Sequence, residues 1–301
     1  MGRDWHRLAG RPSHAALPAY RAPGRGPVLS GSRTPERLAG LVDSHCHLQD
    51  PAFDEDREEV LARAAAAGIA RLLVPGYDLA SSRAAVELAR RHAAIRAAAG
   101  IHPHYAATTT DAEWEALESL ADEPGVVAIG EIGLDYYRNL SPPNVQREAF
   151  QRQLSLAAAV QKPVLVHDRD AHLDVRAALL AWAGPGRGAG SPRGVLHAYS
   201  GDAALATELA AAGFLISFAL PVTFGSAAGP RAAAASLPAG SFLTETDAPW
   251  LAPQGKGARN EPTTALRVAA ELARLRGSTA EAIAADVAQA FDRLLGEGAP
   301  A

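Results

Sequence analysis

From residue 41 onward the chain alternates short apolar runs with longer stretches in which apolar residues recur every three to four positions. The runs at 41–47, 69–76, 95–102, 126–131, 163–167, 194–198, 214–218 and 241–247 read as buried strands. Between them, "DEDREEVLARAAAAG", "DLASSRAAVELARRH" and "NVQREAFQRQLSLAAAVQ" carry helical periodicity, and "EPTTALRVAAELARLRG" and "TAEAIAADVAQAFDRLLG" close the chain as helices. Gly68, Gly100 and Gly213 stand where helices should end or strands turn. Eight strands alternating with helices imply a parallel sheet with helical crossovers. The expected fold is therefore α/β, a TIM-type (β/α)8 barrel over residues 41–301 with its chemistry at the C-terminal rim. An open doubly wound sheet competes, but "GIHPH" and "GEIGLD" are not its Gly-rich phosphate turn. The seventh unit, "LPVTFGSAAGPRAAAASLP", is broken by prolines and glycines and predicts a short or irregular helix.

Residues 1–40 lack this pattern. They hold seven arginines against two acids, with five prolines and six glycines, and read as a disordered basic extension or an over-extended start. A targeting peptide is the second choice, disfavoured because the prolines interrupt an amphipathic helix.

Composition narrows the function. A formal charge of −4 excludes a broad basic surface for coating nucleic acid, so any such contact must be local. Cys46 is the single cysteine; no intrachain disulfide can form, and a reducing, cytoplasmic compartment is expected. No apolar run reaches the length of a membrane span.

The strand ends hold the candidate chemistry. "LVDSHCHLQD" opens the first strand, and strand alternation places Asp43, His45 and His47 on one face, with Cys46 turned away as a small core residue. Later runs end at Glu131, His167, His197 and Asp247. A lone His-x-His pair is weak evidence for a metal. Six metal-competent groups at five strand ends are another matter, because buried imidazoles and carboxylates without a cation would be mutually frustrated. Six donors exceed one tetrahedral ion and suit two ions sharing a ligand. Lys162 precedes the fifth strand and Lys256 lies in a loop, so the bridge should be a carboxylate, with Glu131 the candidate.

Taken in order, "DSHCHL", "GIHPH", "GEIGLDYY", "VHDRDAH", "HAYSG", "ETDAPWLAP" and "RNEP" resemble the TatD family of metal-dependent deoxyribonucleases, from about residue 41 to the final helix. Ala198 stands where that family usually has cysteine and Trp250 where tyrosine is common; the basic extension has no counterpart. The resemblance implies a metallohydrolase barrel with 3′-to-5′ nuclease activity on DNA, with RNA or aminoacyl-tRNA as substrates of some relatives. It further implies that His45, His47 and Asp247 hold a first ion, His167 and His197 a second, and that Glu131 bridges. Magnesium is implied for activity, although four imidazoles favour zinc or manganese.

On this reading Asp247 takes the proton of the attacking water and His102 gives one to the leaving oxygen. Arg169, Arg259 and Asn260 are candidate contacts to phosphate or sugar. Tyr105, Tyr136, Tyr137 and Trp250 lie beside the motifs, where an unpaired base could stack. Asp43 and Glu245 are expected one layer below the ions, accepting from ligating histidines, and Asp135 in the turn after Glu131 either does the same or closes that turn. His104 reads as a loop terminator; His6, His14, His92 and His172 read as surface residues. The acidic total favours a few nucleotides near a DNA strand end over travel along duplex. A carbonyl-directed amidohydrolase and a silent binding scaffold are the competing readings.

Overall fold

The computed structural model describes residues 34–183, 191–253 and 258–297. Residues 1–33 of the basic extension, with His6 and His14, and Lys256 lie outside the described residues. Leu38, just ahead of the first strand, is buried, and its backbone N–H donates to Ala67 O at 2.9 Å.

The strands are β1 (Leu41–Asp43), β2 (Ile69–Pro75), β3 (Ile95–Ala99), β4 (Val126–Asp135), β5 (Val164–Arg169), β6 (Gly194–Leu196), β7 (Phe214–Phe218) and β8 (Phe242–Thr244). They form one parallel sheet in chain order. β8 returns to β1 through backbone bonds from Ser44 N to Thr244 O (2.9 Å), Asp247 N to His45 O (2.9 Å) and His47 N to Ala248 O (2.7 Å). The sheet thereby closes into the expected barrel.

The helices are α1 (Arg57–Ala66), α2 (Leu79–Arg91), α3 (Asp111–Asp122), α4 (Pro143–Ala159), α5 (His172–Trp182), α6 (Ala203–Ala211), α7 (Ala228–Ser236), α8 (Ala265–Arg276) and α9 (Ala280–Leu295). Polar residues start several of them. Capping boxes Asp78/Ser81 and Thr110/Glu113 open α2 and α3, and Asp202 caps α6 through Leu205 N–H at 2.8 Å. The broken seventh unit is a 3-10 turn, Leu220–Thr223, and the nine-residue α7. The core fills the barrel and the layer between strands and helices, with buried strand residues on both faces, as parallel strands require.

Several strand boundaries depart from the sequence pattern: β3, β6 and β8 stop at Ala99, Leu196 and Thr244, short of the expected ends, β5 runs on to Arg169, and β1 and β4 differ most tellingly. β1 stops at Asp43, and the chain carrying His45 and His47 is held by the β8 loop instead of a regular ladder. β4 continues beyond Glu131 to Asp135, with a register shift between Ile129 and Ile132 that sets Glu131 in a bulge. The flanking glycines are required there. A Cβ on Gly130 would stand 2.5 Å from Leu165 Cβ, and Gly133, at φ 138°, would drive one into His167 O. Glu131 N–H donates to Gly76 O at 2.7 Å, which fixes the bulge against β2.

Two buried glutamines of α4 clamp the neighbouring strand ends. Gln153 accepts from Ile101 N–H (2.7 Å) and donates to Ile101 O (3.0 Å). Gln146 accepts from Asp135 N–H (2.8 Å) and donates to Asp135 O (3.0 Å) and Ser141 O (2.7 Å).

Candidate metal centre

All six expected ligands converge at the C-terminal mouth. His45 Nε2 and His47 Nε2 are 3.0 Å apart. Glu131 Oε2 lies 3.4 and 3.5 Å from them, and Asp247 Oδ1 lies 3.9 and 3.7 Å away. The other oxygen of the same carboxylate faces a second group. Glu131 Oε1 is 2.9 Å from His167 Nδ1 and 2.8 Å from His197 Nε2, and those two nitrogens are 3.0 Å apart. Metal–ligand bonds of about 2.0–2.1 Å put donors about 3.4 Å apart in a tetrahedron and about 2.9 Å apart at right angles. Both groups fit, and Glu131 offers one oxygen to each.

The charges fit a cation as well. Burial alone would push Glu131 up, but His197, His102 and His45, with the hydrogen bond from His167, hold it well below the usual carboxylate range. Burial opposes protonation of His167 too, yet the Asp135 and Glu131 carboxylates raise it to about 9. His197 is likewise lifted well above its ordinary value against burial, by Glu131 and Glu245. Burial, aided by His197, lowers His45 to about 4. Burial raises Asp247 to about 7, partly offset by His197 and His47. The chain alone thus balances its carboxylates with protonated imidazoles, the place a divalent ion takes.

The supporting carboxylates divide by role. Glu245, fully buried, accepts from Ala198 N–H at 2.6 Å and stands 3.5 Å from His197 Nδ1, as expected of a residue that orients a ligating ring. Asp135 closes its turn and stands near His167 without a formed hydrogen bond to it. Its Oδ1 closes the turn on Arg138 N–H (2.7 Å), while Oδ2 is 3.4 Å from His167 Nε2 and 2.7 Å from His104 Nε2. Asp43 departs from expectation. It accepts from Thr246 Oγ1 (2.6 Å), Thr246 N–H (3.0 Å) and His45 N–H (3.3 Å), so it braces the backbone under the ligands and no imidazole nitrogen. Burial raises it to about 8, partly offset by the Thr246 bond. Cys46 is fully buried with Sγ 3.9 Å from Leu73 O, a core residue as read.

His102 is buried, with Nε2 3.5 Å from Glu131 Oε1. Its Nδ1 accepts from His104 N–H at 3.1 Å, which in the neutral ring leaves the proton on the nitrogen facing Glu131.

A cleft of about 1250 Å³ opens from this centre and is lined by Arg169, Tyr137, His172, Trp250 and the loop before α7. Trp250 meets the His47 ring edge-on at 4.6 Å, and the Arg169 guanidinium lies 4.7 Å from the Tyr137 ring centre. Tyr105 instead stacks on Tyr77, and Tyr136 donates to Asp174 at 2.6 Å. Three residues of the cleft lining, Ala198, Asp247 and Leu251, hold left-handed backbone at φ 43°, 55° and 55°, the strain expected at a working site.

Arg259 and Asn260 are not brought to the centre. Arg259 makes a two-pronged pair with Asp56 (2.6 Å each) and a third contact with Glu261 (3.0 Å), over the Phe53 ring. Two nearby acids outcompete a loop position facing substrate. Asn260, buried, donates to Thr246 O (2.8 Å) and accepts from Glu261 N–H (2.9 Å), stitching the β8 loop. Conversely, sequence reasoning passed over His104 and His172, and both line the cleft. For His172 a signal existed: Asp168 stands four residues earlier, and their side chains bond at 2.7 Å. His92, read as a surface residue, lies away from the mouth, with Nε2 3.3 Å from the Glu58 carboxylate.

Two donor groups sharing one glutamate at the rim of a parallel eight-stranded barrel define a metal-dependent hydrolase. Residues 42–296 match the family model described as TatD related DNase, and the chain belongs to that family. It is 37% identical over 255 residues to the uncharacterized metal-dependent hydrolase YabD of Bacillus subtilis, covering 84% of this chain and 98% of that one. It is 39% identical over 243 residues to the 3′-5′ ssDNA/RNA exonuclease TatD of Cronobacter sakazakii, covering 79% and 90% of the two chains. The crystal structure of YJJV, a TatD homolog from Escherichia coli K12, superposes with a TM-score of 0.80 at 32% identity, covering 86% of this chain and 99% of that one. Among the described residues no helix is long and apolar enough to cross a membrane.

Proposed function

We propose that the chain is a 3′-to-5′ exonuclease acting on single-stranded DNA ends in a reducing, cytoplasmic setting, with two divalent ions in the paired donor groups. The observation that carries this reading is Glu131, whose two oxygens face two donor groups at the head of a cleft of about 1250 Å³. Ions held there supply acidification of the attacking water and neutralisation of charge on the phosphoryl group.

The chain's own residues do the rest. Asp247 sits against the first donor group, where its half-buried carboxylate is placed to take the proton of the water. His102, in its protonated imidazolium form, faces the second group through Nε2 and gives the leaving sugar oxygen its proton, returning to the neutral ring. Arg169, braced on Tyr137, grips a phosphate in the cleft. The relative from Cronobacter sakazakii, named for activity on single-stranded DNA and RNA, supports the substrate class.

Linear single-stranded DNA and RNA, labelled at either end and with open or blocked 3′ termini, test the reading. Stepwise loss from an open 3′ end is expected. Internal cuts in circular single-stranded DNA would overturn the end-directed proposal, and retained hydrolysis by a folded, metal-loaded Asp247→Ala protein would remove the assigned base.

A further inference from the structure

Beyond the metal centre, the cleft wall carries a second organised cluster. β5 delivers Arg169, and the turn after it starts α5 with His172 and Leu173. His172 Nδ1 bonds Asp168 Oδ2 at 2.7 Å, and the Asp168 side chain is only 7% exposed, so the imidazole is oriented by a carboxylate from beneath. That hydrogen bond, opposed by burial, raises His172 above its ordinary value, with further support from Asp170 and Asp202. The Tyr136–Asp174 hydrogen bond ties the β4 loop to the first turn of α5. Tyr137 and Leu173, the sequence neighbours of that pair, both line the cleft.

Both are exposed: Leu173 at 81% and Tyr137 at 52%, two of the three large apolar side chains so exposed among the described residues. A solvent-facing apolar pair beside a working cleft points to an occupant. The charge identifies its kind. Outside the metal centre the lining holds four arginines (Arg138, Arg169, Arg176, Arg267) and His172 against three acids (Asp168, Asp202, Glu208). Arg176 is neutralised by its two-pronged pair with Glu208, so the surplus is small and centres on Arg169 and the Asp168-oriented His172, beside apolar faces that suit a base.

We propose that the β5–α5 turn is a subsite for the nucleotide next to the cleaved phosphodiester, with Arg169 and His172 on its phosphate and Tyr137 and Leu173 packing on its base. The subsite rests on the nuclease reading above and deepens it: an unstacked, single-stranded nucleotide is the substrate unit that such a wall selects. A base still paired in duplex has no free face for the rim.

The test uses the metal-loaded protein and two readouts. The first is binding of a short, cleavage-resistant phosphorothioate oligothymidylate, followed by anisotropy against salt. His172→Gln keeps a donor for Asp168 and loses the cation. It should weaken binding about fivefold and flatten the log–log salt dependence by about 0.7, one phosphate contact on a single strand. Tyr137→Ser with Leu173→Ser should weaken binding about tenfold and leave the salt slope in place, as loss of base stacking does. Leu140→Ser, exposed but outside the cleft lining, is the control and should bind as wild type.

The second readout is the ratio of kcat/KM on single-stranded DNA to that on bis(p-nitrophenyl) phosphate, which has no neighbouring nucleotide. The ratio should fall through KM in both cleft variants. Equal losses on both substrates, or wild-type affinity and salt slope in His172→Gln, would overturn the subsite. Wild-type protein that binds the oligomer and hydrolyses the small diester but never shortens DNA would leave the subsite standing and remove the exonuclease reading.

Discussion

The mouth of the barrel and the helical shell beneath it are built on opposite terms. Among the described residues nine buried side-chain nitrogen or oxygen atoms lack a well-formed hydrogen bond, and seven of them belong to residues at or beside the mouth: His45, Gln49, His104, His167, Asp168, His197 and Glu245. Elsewhere the described residues leave only His92 Nε2 and Arg193 Nη1 so placed. Gln146 and Gln153 satisfy backbone groups of two strand ends, and Glu271 is held by Arg231 (2.5 Å) and Arg274 (2.8 Å). Orphaned polar groups are costly in an interior. For His45, His167 and His197 the unpaired atom is the ring nitrogen turned away from the donor groups, so the mouth positions its ligand-facing nitrogens at the cost of hydrogen bonds on their far side, over a shell that carries the stability.

The sharpest way to break this contrast is to remove the shared carboxylate. Glu131→Gln should lower kcat/KM by about 1000-fold or more, since losing the bridge forfeits several kcal/mol of transition-state charge stabilisation. Circular dichroism should show the protein still folded, because the shell is untouched. Unfolding instead would mean the mouth is part of the scaffold.

A change in the shell should do the reverse. Gln153→Leu strands the N–H and C=O of Ile101 and should cost about 2–4 kcal/mol, a Tm drop of about 5–12 °C by calorimetry. The metal content of the folded fraction should stay the same. Next in size is Arg259→Gln, which breaks the contacts with Asp56 and Glu261. Its Tm should fall by about 2–4 °C with kcat/KM unchanged; a large rise in KM for DNA would restore Arg259 to the substrate.

The smallest effect is a pH dependence. Burial pushes Glu271 up, but the bonds from Arg274 and Arg231 more than offset it and hold the carboxyl below its ordinary value. A depressed acid adds stability above its unfolded pKa of about 4.3 and loses it as pH falls through the folded value. Wild-type urea midpoints should therefore drop faster than those of Glu271→Gln as the pH is taken below about 4.3. Parallel curves would assign the acid sensitivity to other groups.

Much of the fold was legible because fully buried parallel strands read as apolar runs, and β7 matches its run residue for residue. The candidate donors were legible because each stands at or just past such a run. The local path was not. His45 and His47 lie beyond β1, and Glu131 sits in a bulge within β4, since tertiary bonds to Ala248 O and Gly76 O divert the backbone from a regular ladder there. Spacing also could not tell that Arg259 would find Asp56, 203 residues away, or that Asp43 would brace Thr246 instead of a histidine ring. His104 was passed over for the same reason, its partner Asp135 being 31 residues distant.

The count of divalent ions per chain tests the central claim most directly. After equilibration with Mn²⁺ or Zn²⁺ and removal of free metal, elemental analysis should find two ions per wild-type chain, and fewer than two in Glu131→Ala. A folded wild-type protein that retains no divalent ion, or a Glu131→Ala protein that still holds two, would contradict it.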